Sequence, residues 1–260
     1  PGTICQSIEW THIHEYLTQF GSDRLIAGDF KAFDKKMSCA IMQEAFRVIM
    51  EISEASGNFD RDDLRVIQGI AWDTSFPLVD FNGDLVRFYG SNPSGHPLTV
   101  IINGLCNSLY MRYCYYLLNP MKEVESFRKN VALMTYGDDN SMNVSPSIDF
   151  YTHTAIQGEF AKLGITYTMA DKEALSIPFI SMEECSFLKR KWRFNPITCA
   201  FDAPLDEESI EKSLTVWVRS KNVLPQEQAV DIVSSALREY FFYGKDKFEE
   251  KRILCQQMIH

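Results

Sequence analysis

Tyr136-Gly137-Asp138-Asp139 places two carboxylates in a tight turn between two runs, 131–136 and 140–144, that read as apolar strands. Gly137 permits the backbone geometry such a turn needs. The turn also has an ordinary reading, because Asp is a common turn residue. Asp29 closes a second short apolar run, 25–28, and Asp34 follows soon after. The ordinary readings there are a helix cap for Asp29 and a solvated loop acid for Asp34. If the two strands converge at one sheet edge, Asp29 and Asp138 hold divalent cations between them. Magnesium suits so sparse a set, since it takes one or two carboxylates together with substrate phosphates. Two such ions about 4 Å apart activate an attacking oxygen and stabilise a leaving one.

A third constellation is Ser94-Gly95-His96-Pro97-Leu98-Thr99, followed by Asn103. Thr99 and Asn103 are i and i+4, so they share one helix face. The alternative is a Pro-initiated, capped helix whose polar residues merely satisfy backbone.

These residues need elements to carry them. Residues 10–20 look helical and 25–28 read as a buried strand. The spacing of Met37, Ile41, Ala45, Val48, Ile49 and Ile52 predicts a helix over 36–53, stopped by Gly57. A second helix is expected over 60–72, opened by acidic residues that suit the positive end of its dipole. Phe81-Asn82-Gly83-Asp84 is a hairpin turn between strands 77–81 and 85–89. A Gly/Ser/Pro loop over 90–97 precedes a long apolar helix over 98–118. Further on come a helix over 149–163 ended by Gly164, a strand over 165–169, and a hairpin of 187–194 with 198–201. After about Pro204 the chain reads as helical, over 206–218 and 225–243, with Pro225 at a helix start and Gly244 at a stop. The mixed order of strands and helices suits an α+β fold, an antiparallel sheet with helices on one face.

The 260 residues suffice for a real core, and 45% hydrophobic with 13% aromatic residues argues against disorder. A net charge of −9 and a pI near 5.1 tell against a broadly basic nucleic-acid surface, since phosphate neutralisation needs Lys and Arg. A metal site must itself be acidic, however, and a basic groove is expected from sequence outside this chain. Seven cysteines with no CxxC make a disulfide framework or zinc site improbable and suit a reducing compartment. The apolar stretch 98–118 is broken by Asn103, Asn107 and Arg112, which favours a buried helix over a membrane span.

Taken in order, the pieces are Asp29 with Asp34, Ser94-Gly95 with Thr99 and Asn103, Tyr136-Gly137-Asp138-Asp139, Ala170-Asp171-Lys172, and Phe187-Leu188-Lys189-Arg190. This series resembles motifs A to E of viral RNA-dependent RNA polymerases, and the last element is similar to the picorna-like group of positive-strand RNA viruses. The resemblance covers roughly residues 20–200. It implies a polymerase palm with part of the fingers over 1–204 and a small helical start of the thumb over 205–260. It implies that Asp29 and Asp138 ligate two magnesium ions, for which manganese can substitute, with Asp139 as an assisting ligand. Asp34, Ser94, Gly95, Thr99 and Asn103 would bind the nucleotide and sense its ribose 2′-hydroxyl. Lys172 would be the general acid for the pyrophosphate leaving group, against an ordinary reading as a solvated surface lysine. Lys189 and Arg190 would lie near the priming strand, against an ordinary reading as a basic hairpin tip.

The implied activity is template-directed RNA synthesis, nucleotidyl transfer from an NTP to the 3′-hydroxyl of RNA during viral genome replication. The implied partners are RNA template and primer, NTPs and other viral replication proteins. The expected place is the host cytoplasm at replication membranes, without a membrane span in this chain. The basic motif that precedes motif A in such enzymes is missing before residue 20. Most of the fingers are therefore expected upstream of Pro1, and the chain alone is expected to polymerise weakly or not at all.

The competing readings are a reverse transcriptase, a catalytically incompetent polymerase-like binding module, and a two-metal nuclease or nucleotide cyclase. Asp34 in place of an aromatic steric gate, and Gly137 in place of a bulky residue, favour RNA synthesis over the first. A complete set of acids counts against the second. Neither a nuclease nor a cyclase needs Ser94, Thr99 and Asn103 together.

Overall fold

Buried apolar runs and their turn residues dictate where the strands of the main unit begin and end. The computed structural model describes residues 2–259 except 93, 94, 172, 173 and 217, and leaves aside the side chains of 258 and 259. The chain divides into two compact units, one of Leu17–Cys185 and one of Gly2–Tyr16 with Ser186–His260. The division at Ser186 falls earlier in the chain than Pro204.

Helix α1 (Glu9–Leu17) leads to β1 (Leu25–Phe30), whose residues are nearly all buried. The expected strand over 25–28 thus continues through Asp29, which lies within β1 rather than capping a helix. The short helix α2 (Phe33–Lys36) follows a left-handed residue, Ala32 at φ 56°, so Asp34 sits on a helical turn and not in a loop. Helix α3 (Cys39–Ser56) opens on Ser38, whose hydroxyl accepts from the Ala40 N–H, and closes at Gly57. Helix α4 (Arg61–Ser75) has a capping box between Asp60 and Asp63. The hairpin β2 (Leu78–Phe81) and β3 (Asp84–Arg87) turns on Asn82 and Gly83, both at positive φ, and its residues are all exposed.

Helix α5 (Thr99–Leu118) buries Ile102, Asn103, Cys106, Asn107, Tyr110, Met111, Cys114 and Tyr115 at helical spacing. The short α6 (Phe127–Asn130) feeds β4 (Val131–Tyr136), which turns into β5 (Asp139–Val144). Helix α7 (His153–Lys162) starts later than the expected 149, because the Thr152 hydroxyl accepts from the Ala155 N–H and supplies the cap. Strand β6 (Tyr167–Met169) completes an antiparallel sheet in the order β4-β5-β1-β6. One apolar core joins Ile26 and Phe30 of the sheet to Met42, Phe46, Ile102, Met111, Tyr115, Ile156 and Phe160 of the helices.

Strand β5 departs from the apolar reading of 140–144. Asn140, Ser141 and Asn143 are buried in it. A central strand tolerates them because they are bonded. Asn143 accepts from the Phe20 N–H at 2.8 Å and donates to the carbonyls of Gly21 and Arg24. Asn140 Oδ1 accepts from the Tyr167 hydroxyl at 2.7 Å. Tyr167 lies directly over Gly28, where an added Cβ would overlap its hydroxyl and ring. Gly28→Ala is therefore expected to lower stability by about 1–3 kcal/mol through overpacking. Urea denaturation of the variant reads this, and an unchanged midpoint would show that Tyr167 can move aside.

In the second unit, Trp10 stacks on Trp192 with ring centroids 4.8 Å apart, and His14 stacks on Phe201. Residues 187–190, expected to open a long strand, instead form a tight turn. Phe187 and Arg190 exchange backbone bonds, while Leu188 and Lys189 hold φ near 55° and 58°. The strands proper are β7 (Arg193–Asn195) and β8 (Ala200–Asp202), paired antiparallel. Helices α8 (Glu207–Thr215), α9 (Pro225–Tyr240) and α10 (Lys245–Ile259) follow, with one 3-10 turn, Phe241–Tyr243, before Gly244. Ile210, Ala236 and Tyr240 form their small core.

Candidate active site

Strand register carries the two acidic stretches to one end of the sheet. Gly28 of β1 stands opposite Asn140 of β5, and Asn140 stands opposite Thr135 of β4. Asp29 is the next residue of β1 beyond that rung. At the same end, Gly137 and Asp138 form the turn that joins Tyr136 to Asp139. Asp29 also pairs with Thr168 of β6 on its other side. Gly137 is buried at φ 61°, Asp138 is exposed, and Asp29 and Asp139 are half-buried. Acids so placed are within reach of solvent and of a charged ligand.

The turn is held from beneath by α5. Asn107, fully buried, donates its side-chain amide to the carbonyls of Gly137, Asp138 and Asp139 at 3.2, 2.9 and 3.3 Å. One turn earlier on the same helix, the Gly104 carbonyl accepts from the Thr135 hydroxyl at 3.1 Å. Backbone carbonyls in a turn have no ladder partner and must be satisfied by something. Here the Asn107 amide reaches all three carbonyls of Gly137, Asp138 and Asp139, and Asn140 Nδ2 adds a longer bond of 3.5 Å to that of Asp138. In the sequence Asn107 reads only as a polar break in an apolar helix. Thr99, Asn103 and Asn107 recur every four residues, however, and that polar stripe on one face is the available signal.

Two of the candidate nucleotide-binding residues, Thr99 and Asn103, open α5. Thr99 is its first residue, half-buried, and Asn103 is buried one turn on. Asn92, fully buried in the preceding loop, donates from Nδ2 to Asn103 Oδ1 at 2.7 Å. Its backbone N–H donates to the Asp34 carbonyl at 2.8 Å, which ties α2 to this loop. No pattern in the sequence singles out Asn92. Gly95 is exposed at φ +99°. Ser94 and Lys172 lie outside the described residues.

The two basic candidates of the second unit differ. Lys189 is exposed at the tip of its turn, with Nζ 3.4 Å from the Ser209 hydroxyl. Arg190 is half-buried and forked onto Glu239 at 2.7 and 2.8 Å, with a further bond to the Ala203 carbonyl at 2.7 Å. A bidentate Arg–carboxylate pair is strong and directional. Arg190 is therefore compensated within its unit and braces the turn against α9, while Lys189 has the accessible charge.

Among the described residues no three His, Cys, Asp or Glu side chains form a ready-made metal cluster. The donor set at the sheet end, Asp29 with Asp138 and Asp139, is still one a hard cation takes. Carboxylate oxygens suit magnesium, which keeps several positions for water and phosphate. Cys106 and Cys114 are buried in the core, and that burial pushes both thiols up to about 12, which disfavours nucleophilic chemistry at either. Among the described residues no helix is long and apolar enough to cross a membrane.

A family model described as viral RNA-dependent RNA polymerase matches residues 5–258. The chain belongs to that family. It is 40% identical over 251 residues to the RNA1 polyprotein of Arabis mosaic virus, covering 94% of this chain and 10% of that polyprotein. It is 29% identical over 266 residues to the replicase polyprotein of Cricket paralysis virus, covering 96% of this chain and 15% of the relative. The polymerase-family fold is also seen in the solved Sicinivirus 3Dpol RNA-dependent RNA polymerase, at TM-score 0.76 and 17% identity. That match covers 97% of this chain and 49% of the solved one, so the chain spans about half of it.

Proposed function

We propose that the chain is the catalytic palm, with part of the fingers, of a picorna-like viral RNA-dependent RNA polymerase over residues 1–204, followed over 205–260 by the start of its thumb. The observation that carries this reading is the strand register that brings Asp29 and the Gly137-Asp138-Asp139 turn to one end of the β4-β5-β1-β6 sheet. The reaction is transfer of a nucleotidyl group from an NTP to the 3′-hydroxyl of an RNA primer on an RNA template, with release of pyrophosphate.

Asp29 and Asp138 would hold divalent metal, magnesium or in its place manganese, and Asp139 would assist. When bound, the metal supplies charge neutralisation at the phosphates and a lowered pKa for the attacking hydroxyl. The chain's own work is positioning, the larger share of catalysis in phosphoryl transfer. Rigid strands fix Asp29 and Asp139, and Asn107 fixes the turn between Tyr136 and Asp139. Asp34, Ser94, Gly95, Thr99 and Asn103 would bind the incoming nucleotide and its ribose. Lys172 would protonate the leaving pyrophosphate, and Lys189 would touch the RNA strand. The full-length protein would work with other viral replication proteins in the host cytoplasm, at replication membranes.

Primer extension on a homopolymer RNA template tests this. The full-length protein is expected to add ribonucleotides only with magnesium or manganese present. Preferential incorporation of deoxyribonucleotides, or no metal-dependent extension at all, would overturn the proposal.

A further inference from the structure

We propose that Asn92 is a positioning residue for sugar selection: it sets which end of the Asn103 amide faces the nucleotide. This rests on the proposed polymerase function and on Asn103 as a ribose-sensing residue. An asparagine amide can be turned either way round, with oxygen or nitrogen at a given place, so its polarity must be imposed by neighbours. Asn92 is placed to impose it.

Asn92 Nδ2 lies 2.7 Å from Asn103 Oδ1 and 3.5 Å from the backbone carbonyl of Thr99. A carbonyl can only accept, so Thr99 identifies the donor end of Asn92. That donor in turn obliges Asn103 to present its oxygen to Asn92, which leaves its NH2 as what Asn103 can offer a ligand. A donor there suits the oxygen of a ribose 2′-hydroxyl, and the hydroxyl's own proton needs an acceptor such as a carboxylate. Asp34 is tied to the same residue, since the Asn92 N–H donates to its carbonyl at 2.8 Å. Asn92 thus ties the side chain of Asn103 on α5 to the backbone of Asp34 on α2.

A second observation points the same way. Asn92 is 0% exposed, yet its Oδ1 has no hydrogen-bond partner among the described residues. A buried, unsatisfied acceptor is destabilising, and an apolar residue would avoid it. Among the described residues Asn92 is thus used for its donor end, which is the end that faces Asn103.

Sites built to hydrogen-bond a hydroxyl reject the analogue lacking it, because their buried polar groups are left unpaired. Loss of one such bond is worth about tenfold in the ratio. The experiment uses the full-length polymerase and measures kcat/KM for ATP and for 2′-deoxy-ATP on an oligo-U template, with Asn92→Asp and Asn92→Ala. The carboxylate that Asn92→Asp introduces can only accept, so Asn103 must turn its NH2 inward and present oxygen to the sugar.

Asn92→Asp is expected to lower the ribose-to-deoxyribose ratio by about tenfold or more, and 2′-amino-ATP, which brings its own donors, should lose less than ATP. Asn92→Ala releases the amide and should give a smaller drop in the ratio. If either folded variant lowers kcat/KM equally for both sugars, or leaves the ratio at the parent value, the inference is overturned. Asn103→Ala serves as the control. If its ratio also stays at the parent value, the underlying ribose-sensing assignment fails, independently of Asn92.

Discussion

Replacing Asp138 by Asn in the full-length polymerase should lower RNA synthesis by on the order of 10³-fold or more, equivalent to about 4 kcal/mol of transition-state stabilisation. Asp138 is exposed at the tip of a turn whose backbone is bonded from below by Asn107, so the substitution removes a charge without opening the core. Thermal melting should stay at the parent value. The loss should fall on kcat with KM for NTP changed far less, because the ligand acts where negative charge accumulates in the transition state. Manganese should restore part of the activity if the carboxylate is a metal ligand, since manganese accepts nitrogen and oxygen donors more readily than magnesium does. An Asp138→Asn enzyme that extends primers at the parent rate would remove the acid from the catalytic machinery and take the metal assignment with it.

The parts of this site that are legible in the sequence are those written in short-range patterns. The strands that deliver Asp29 and the turn are near-continuous apolar runs, and such runs bounded by Gly and Asp can be read without a structure. Thr99 and Asn103 are legible as a pair because helical spacing puts them on one face. What escapes depends on partners remote in the chain. The apolar reading of 140–144 finds the strand and misses its buried polarity, because the groups that satisfy Asn143 and Asn140 belong to Phe20, Gly21 and Tyr167, remote in the chain. The turn at 187–190 needs positive φ at Leu188 and Lys189, and neither residue type advertises it. The start of α7 is set by its cap, and the Thr152 hydroxyl places it later than 149. Helix α10 has no clear apolar stripe to announce it. Two of its lysines, Lys247 and Lys251, pair with Glu207 of α8 instead.

Asn107→Leu should be the most damaging substitution outside the acids themselves. Leu matches Asn in size well enough to fill the space, so the substitution isolates the hydrogen bonds. Without the amide, the carbonyls of Gly137, Asp138 and Asp139 lose their shared donor, and the turn loses what fixes it to α5. A displacement of about 1 Å at reacting groups costs around 10²-fold in rate, and that is the size of fall expected in kcat. The magnesium concentration for half-maximal activity should rise as well, because a mobile turn holds Asp138 and Asp139 less well against Asp29. Asn107→Asp should be worse, since it sets a carboxylate against carbonyl oxygens that can only accept. If Asn107 merely fills the core, Asn107→Leu should leave the melting temperature, kcat and magnesium requirement at the parent values. The latch predicts the reverse for Asn107→Leu: a folded enzyme whose metal requirement and turnover are both changed, with KM for NTP near the parent value. Steady-state kinetics at graded magnesium, beside a melting curve of the same preparation, separate these outcomes, because only the latch couples a buried amide on α5 to the metal dependence of acids on the sheet.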